Sequence, residues 1–126
     1  MRVWGIKNKY CLPAFLLVFG VGCVSVNSSN PEVRMKAVNQ IEDPVQLEDL
    51  ALKSPFSDVR EIAVQKITND DVLVNIVLSD KNNVVRNSAF QHIRDLDHLM
   101  KIALHSTERD IRLLALSRIT DSNTLV

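Results

Sequence analysis

The sequence is poor in the residues on which many catalytic and cofactor sites depend. Its two cysteines, Cys11 and Cys23, and its three glycines, Gly5, Gly20 and Gly22, all lie within the first 23 of 126 residues. From residue 24 onward the chain therefore excludes a disulfide framework, a cysteine zinc site, a cysteine nucleophile and a glycine-rich phosphate loop.

The remaining chemistry-bearing residues form no catalytic pattern. The three histidines are His92, His98 and His105, and their spacing does not fit a metal shared on one short helix. We interpret them as surface residues. The paired acids Asp70-Asp71 and Asp95/Asp97 fall at expected turns between helices, where capping explains them better than acid–base catalysis. The sequence predicts a non-enzyme with no cofactor and no metal.

The charge is unevenly distributed along the chain. The whole chain has 15 basic and 15 acidic residues, but Arg2, Lys7 and Lys9 precede the first apolar run and no acid does. From residue 23 onward, 12 basic residues stand against 15 acidic ones, for a net charge of −3. This balance argues against nucleic acid as the main partner, because phosphate binding needs a concentrated basic face.

The N-terminal segment has the pattern of an export leader. A basic stretch precedes residues 11–24, which carry no charge, and this run is shorter than the roughly 20 apolar residues of a membrane span. We predict a helical signal peptide over residues 1–22 and a flexible linker over residues 23–30.

The end of this leader, Gly20-Val21-Gly22-Cys23, resembles a bacterial lipoprotein lipobox, although the family usually has leucine in place of Gly20. The resemblance implies a lipid on Cys23, cleavage before it, and an exported protein anchored in a bacterial membrane, facing the outer membrane or periplasm. Two alternatives stay open, namely a soluble secreted protein and an uncleaved anchor.

The remainder of the chain repeats with a constant period. Four dipeptides recur at intervals of 26 residues: Val33-Arg34, Val59-Arg60, Val85-Arg86 and Ile111-Arg112. The alanines, isoleucines and leucines around them keep the same register. The copies span residues 31–56, 57–82, 83–108 and 109–126, and the last is incomplete.

Each copy is predicted to form two short helices separated by Asp43, Asn69, Asp95 or Asp121, which can cap the second helix. Neither helix is long enough to be stable alone, so stacking of copies must bury the shared apolar side. The pattern resembles HEAT-like repeats or the shorter leucine-rich variant repeat. That resemblance implies an all-α, short right-handed α-solenoid over residues 31–126, a scaffold for protein contacts.

The recurrent arginines, Arg34, Arg60, Arg86 and Arg112, lie within the apolar side of the first helices. A guanidinium there needs a fixed acceptor. We predict a ladder in which they pair with Asp43, Asn69, Asp95 and Asp121 and hold the copies in register. The alternative is a cationic stripe that grips an anionic partner.

The last copy departs from the pattern. Leu113, Leu114 and Leu116 make its first helix apolar nearly all round, whereas a terminal repeat normally has a polar outer side. We predict a partner interface there, or self-association through this uncapped copy. The preferred function is a non-catalytic, lipid-anchored scaffold that binds another envelope protein. The alternatives are a truncated fragment of a longer repeat protein and an accessory subunit of an enzyme.

Overall fold

The computed structural model describes residues 25–123, and all seven elements within this range are α-helices. They are α1 (Pro31–Asn39), α2 (Pro44–Lys53), α3 (Ser57–Lys66), α4 (Asp70–Ser79), α5 (Asn83–His92), α6 (Leu96–His105) and α7 (Arg109–Asn123). The described part of the chain contains no strand, so the all-α prediction is confirmed.

The helices follow the period of the sequence. The first helices of the four copies begin at residues 31, 57, 83 and 109, and the second helices of the first three begin at residues 44, 70 and 96, so both series advance by 26 residues. The second helices α2, α4 and α6 are regular ten-residue α-helices.

Packing joins equivalent helices of successive copies. Helix α3 packs on α1 and on α5, while α4 packs on α2 and on α6. Each second helix also packs against the first helix of the next copy: α2 on α3, α4 on α5 and α6 on α7. Burial of the recurrent apolar positions forms one continuous core that includes Ala37, Ala63, Ala89 and Ala115.

Polar side chains and prolines fix the helix starts. Asp43 accepts a hydrogen bond from the amide of Gln46, and Asp95 accepts one from the amide of His98, so both act as N-caps, as predicted. Pro44 stands at the first position of α2, where its missing amide hydrogen costs nothing. Asn69 also precedes a helix, but its amide instead donates to Glu48.

The fourth copy does not turn at Asp121. Helix α7 runs unbroken for 15 residues, from Arg109 to Asn123, so the predicted turn at Asp121 is wrong. In the first three copies the second helix buries leucines such as Leu47, Leu73 and Leu99, which draws the chain out of the first helix. Without such a packed second helix among the described residues, the backbone continues in the conformation that satisfies its own hydrogen bonds.

The predicted linker is packed from residue 25 onward. Val26 is completely buried, and the carbonyls of Ser28 and Ser29 accept hydrogen bonds from Arg34. This stretch is therefore part of the folded unit and not a flexible connection. The predicted leader and Cys23 lie outside the described residues. Within residues 25–123, no helix is both long and apolar enough to cross a bilayer.

Candidate functional site: links between copies and the C-terminal face

The best-formed polar contact joins α3 to the segment between α4 and α5. Arg60 Nε donates to Asp80 Oδ2 at 2.8 Å, and Arg60 Nη2 donates to Asp80 Oδ1 at 3.0 Å. The two residues are only 4% and 7% exposed. Burial raises the pKa of Asp80, but hydrogen bonds from Arg60 and from the amide of Asn82 outweigh it and hold that pKa below 3.8. The carboxylate is therefore charged, and the pair is a bidentate ion pair.

A similar link joins the first and second copies. Arg34 Nε lies 2.8 Å and 3.0 Å from the two carboxylate oxygens of Asp58, at the start of α3. The guanidinium carbon of Arg34 also stands 4.3 Å from the centre of the Phe56 ring. Hydrogen bonding from Arg34 is the main reason that the pKa of Asp58 lies below its ordinary value.

The corresponding link from α5 to the segment that enters α7 is less complete. Arg86 Nη2 donates to Glu108, which immediately precedes α7, and Arg86 Nη1 donates to the carbonyl of Asp80 at 2.6 Å. Arg86 Nε is buried without a hydrogen-bond partner. Asp80 thus serves two successive arginines, with its side chain on Arg60 and its backbone on Arg86.

The predicted acceptors of these arginines are wrong, although the arginines do link copies. Asp43 and Asp95 cap second helices, and Asn69 binds Glu48. The capping positions Asp43, Asn69 and Asp95 lie beyond the C-terminal end of the first helix, whereas the arginines lie near its N-terminal end. The carboxylates come instead from the segment that enters the next first helix, at Asp58, Asp80 and Glu108.

All four arginines share a second contact. In each, Nη1 donates to the carbonyl of the residue six positions earlier: Ser28, Ser54, Asp80 and Ser106. The side chains of these same residues accept the amide hydrogen two positions later. The guanidinium therefore holds the entry to its own first helix as well as the next copy.

A second set of links, at the other end of the first helices, was not anticipated from the sequence. Lys66 Nζ donates to the carbonyls of Asn39 and Ile41, at the end of the preceding first helix. Arg118 Nη1 likewise donates to the carbonyls of Phe90 and Ile93, at 3.0 and 3.2 Å. Cations at helix C-termini satisfy carbonyls that have no helical partner. Lys66 and Arg118 occupy the same repeat position as Gln40 and His92. Because the residue at this position differs in every copy, the repeat pattern did not predict these contacts.

His98 connects the second helices. Its Nδ1 lies 2.7 Å from Asp95 Oδ2 in its own copy, and its Nε2 lies 3.4 Å from Asp71 Oδ1 in the preceding copy. Desolvation lowers the pKa of His98, but hydrogen bonds to Asp95 and Asp71 outweigh it, so this pKa lies above 6.5. The protonated ring can donate to both carboxylates at once. Among residues 25–123, no group of histidine, cysteine and acidic residues has the arrangement of a metal site.

The predicted partner interface divides into two sides of α7. Leu113, Leu114 and Leu116 are all about half exposed. At 100° per residue, Leu116 falls between Arg112 and Leu113, whereas Leu114 lies about 160° away from Leu116. We call Arg112, Leu113 and Leu116 the C-terminal face.

The C-terminal face exposes a position that the earlier copies bury. Leu116 is 49% exposed, while its equivalents Val38, Val64 and Phe90 are 0%, 0% and 1% exposed. Met100 on α6 shows the same change, since it is 50% exposed where its equivalent Val74 is 1% exposed. In the earlier copies, these positions belong to the buried core. The C-terminal face is therefore the kind of surface that elsewhere in the chain receives another helix.

Comparisons with known protein families, curated proteins and solved structures return no match to this chain.

Proposed function

We propose that this chain is a non-catalytic, protein-binding scaffold, built as a short right-handed α-solenoid of HEAT-like copies. The common 26-residue advance of both helix series supports the solenoid, as does the packing of α3 on α1 and α5 and of α4 on α2 and α6. The arginine contacts between copies support an internal ladder over a cationic stripe, because Arg34, Arg60 and Arg86 already hold carboxylates.

The observation that carries the binding function is the exposure of Leu116. Full burial of a leucine side chain stabilises a complex by about 1.5–3 kcal/mol, so an end that leaves such a position half open favours a bound protein. The basic n-region and Cys23 support a lipid-anchored location in the bacterial envelope, as the lipobox resemblance implies.

The test is a pull-down of the tagged full chain from detergent-extracted membranes, with captured proteins identified by mass spectrometry. We expect a partner that the wild type and Val45→Lys retain and that Leu116→Lys loses. Val45 is the matched control because it is an exposed apolar residue on α2, away from α7. A captured set that is the same for all three chains would contradict the proposal.

The anchor is tested separately by the intact mass of the mature protein. We expect cleavage before Cys23 and an added lipid mass, both lost in Cys23→Ser, together with release of that variant from membranes. An unmodified Cys23 would contradict the lipid-anchored part of the proposal and leave the protein-binding part standing.

A further inference from the structure

From the repeat register of the two ends, we propose that the C-terminal face binds a second copy of this chain, head to tail, with helix α1 of the second copy docked on α7. The inference rests on the proposed scaffold function and names one of its partners. The docking repeats the way in which α3 packs on α1 within one chain.

The first observation is the state of Arg112. Its equivalents Arg34, Arg60 and Arg86 each bind a carboxylate from the segment that enters the next first helix. Arg112 keeps the shared contact to its own copy, since its Nη1 donates to the carbonyl of Ser106 at 2.8 Å. No carboxylate within residues 25–123 forms a hydrogen bond or ion pair with it. The C-terminal face thus lacks the acid that every earlier junction contains.

The second observation is that Glu32 stands in the matching position at the other end. Glu32 occupies in the first copy the place that Asp58 occupies in the second, and Asp58 is the partner of Arg34. The Glu32 side chain is exposed in the first turn of α1, and no ion pair within the described range involves it. A second copy placed in the register of the repeats therefore brings Glu32 to Arg112.

The apolar positions agree with this arrangement. Val59, Val85 and Ile111 are 0–2% exposed, but their equivalent in α1, Val33, is only partly buried. Each end of the described chain thus leaves open a position that internal junctions cover, Val33 at one end and Leu116 at the other. When a second copy docks in the register of the repeats, Val33 of that copy and Leu116 of the first copy are buried in the same interface.

A two-fold arrangement of two C-terminal faces would place one Arg112 against another, and like charges in contact disfavour it. Head-to-tail contacts of this kind extend into open chains unless the rotation closes them.

The test is a charge exchange in the full chain. Two differently tagged copies are co-expressed, extracted in a non-ionic detergent that disperses the apolar residues 11–24, and captured through one tag. The variants are Arg112→Glu, Glu32→Arg and the double variant that carries both changes. Arg109→Glu is the matched control, because it makes the same charge change at an exposed position on the same helix. Far-UV circular dichroism verifies that each variant folds.

We expect co-capture of wild-type copies, a loss of about tenfold or more in each single variant, recovery in the double variant, and no change in Arg109→Glu. Only an arrangement that joins residue 32 of one copy to residue 112 of another predicts this recovery. Absence of co-capture in the wild type, equal co-capture in all variants, stronger co-capture in Arg112→Glu alone, or no recovery in the double variant would overturn the proposal. The pull-down with Leu116→Lys decides the broader scaffold function independently, because that function also holds for a partner other than this chain.

Discussion

The guanidinium of Arg60, on α3, and the carboxylate of Asp80, in the segment that enters α5, form a bidentate pair, and both side chains are almost completely removed from solvent. A buried pair with two parallel hydrogen bonds fixes relative position more strictly than apolar packing alone. The backbone carbonyl of Asp80 also accepts a hydrogen bond from Arg86. Asp80 therefore contacts the arginines of two successive copies.

Removal of Arg60 should be strongly destabilising. Arg60→Met leaves the Asp80 carboxylate buried and uncompensated, for which we expect a loss of about 3–5 kcal/mol in the free energy of unfolding. The control is Lys53→Met, which removes an exposed pair with Asp49 and should cost less than about 0.5 kcal/mol. Urea unfolding followed by circular dichroism measures both values. Similar losses in the two variants would show that Arg60 does not act as the structure indicates.

Lysine should replace arginine unequally at two equivalent positions. At residue 60 the change removes the fork that binds both oxygens of Asp80, so we expect Arg60→Lys to cost about 2 kcal/mol or more. At residue 86 the lost Nε has no partner, so Arg86→Lys should cost less than about 1 kcal/mol. The same urea experiment compares them, and a larger loss at residue 86 would contradict this account.

The sequence predicted these arginines but not their partners. The four arginines recur in register, so an alignment of the chain with itself finds them. Their acids, Asp58, Asp80 and Glu108, occupy three different register positions, and each lies close enough because it falls in the same short segment. Because these acids do not recur at one repeat position, the repeat pattern could not predict them as partners. The capping residues do recur, and for that reason the sequence predicted them as the partners of the arginines.

The cations at the helix C-termini should contribute measurably to stability. Lys66→Met removes donors to the carbonyls of Asn39 and Ile41, and Arg118→Met does the same at Phe90 and Ile93. We expect each to lower the free energy of unfolding by about 1–2 kcal/mol. Lys101→Met, at an exposed position on α6, is the control and should have little effect. Equal losses in the free energy of unfolding for the three variants would show that the contacts of Lys66 and Arg118 do not stabilise the chain.

The His98 contact predicts a dependence on pH. The pKa of His98 is raised above its ordinary 6.5 in the folded chain, so the folded state holds the proton more tightly than the unfolded state. The stabilisation is therefore complete below pH 6.5 and is lost as the pH rises through the raised pKa. The melting temperature of the wild type should exceed that of His98→Gln by more at about pH 6 than at about pH 9.

His105→Gln, at the exposed end of α6, serves as the control for this experiment. It removes an exposed histidine from the same helix and leaves the contacts of His98 with Asp95 and Asp71 in place. A wild-type advantage over His98→Gln that grew with rising pH would reverse the assigned sign and contradict the contact with Asp95 and Asp71.

The fold itself was largely predictable, and the exceptions have a physical cause. The apolar period predicted two short helices in each copy, separated at Asp43, Asn69 and Asp95, and the first three copies have them, because helices too short to be stable alone must bury a common side. The seventh, α7, extends past Asp121 because tertiary packing, and not the local sequence, creates the turn in the other copies. The apolar character of Leu113, Leu114 and Leu116 was evident from the same pattern, but only the structure shows that Leu116 is exposed where Val38, Val64 and Phe90 are buried.

The central claim is that pairs between the arginine of each first helix and a carboxylate in the segment that enters the next first helix hold this chain together, and a double-mutant cycle tests it most directly. The cycle combines Arg60→Met with Asp80→Asn and compares the result with Arg60→Met combined with Asp43→Asn, each measured by urea unfolding. We predict a coupling of about 2 kcal/mol or more for Arg60 with Asp80, and additivity within about 0.5 kcal/mol for Arg60 with Asp43. Additive effects at Asp80, or equal coupling at Asp43, would contradict the claim.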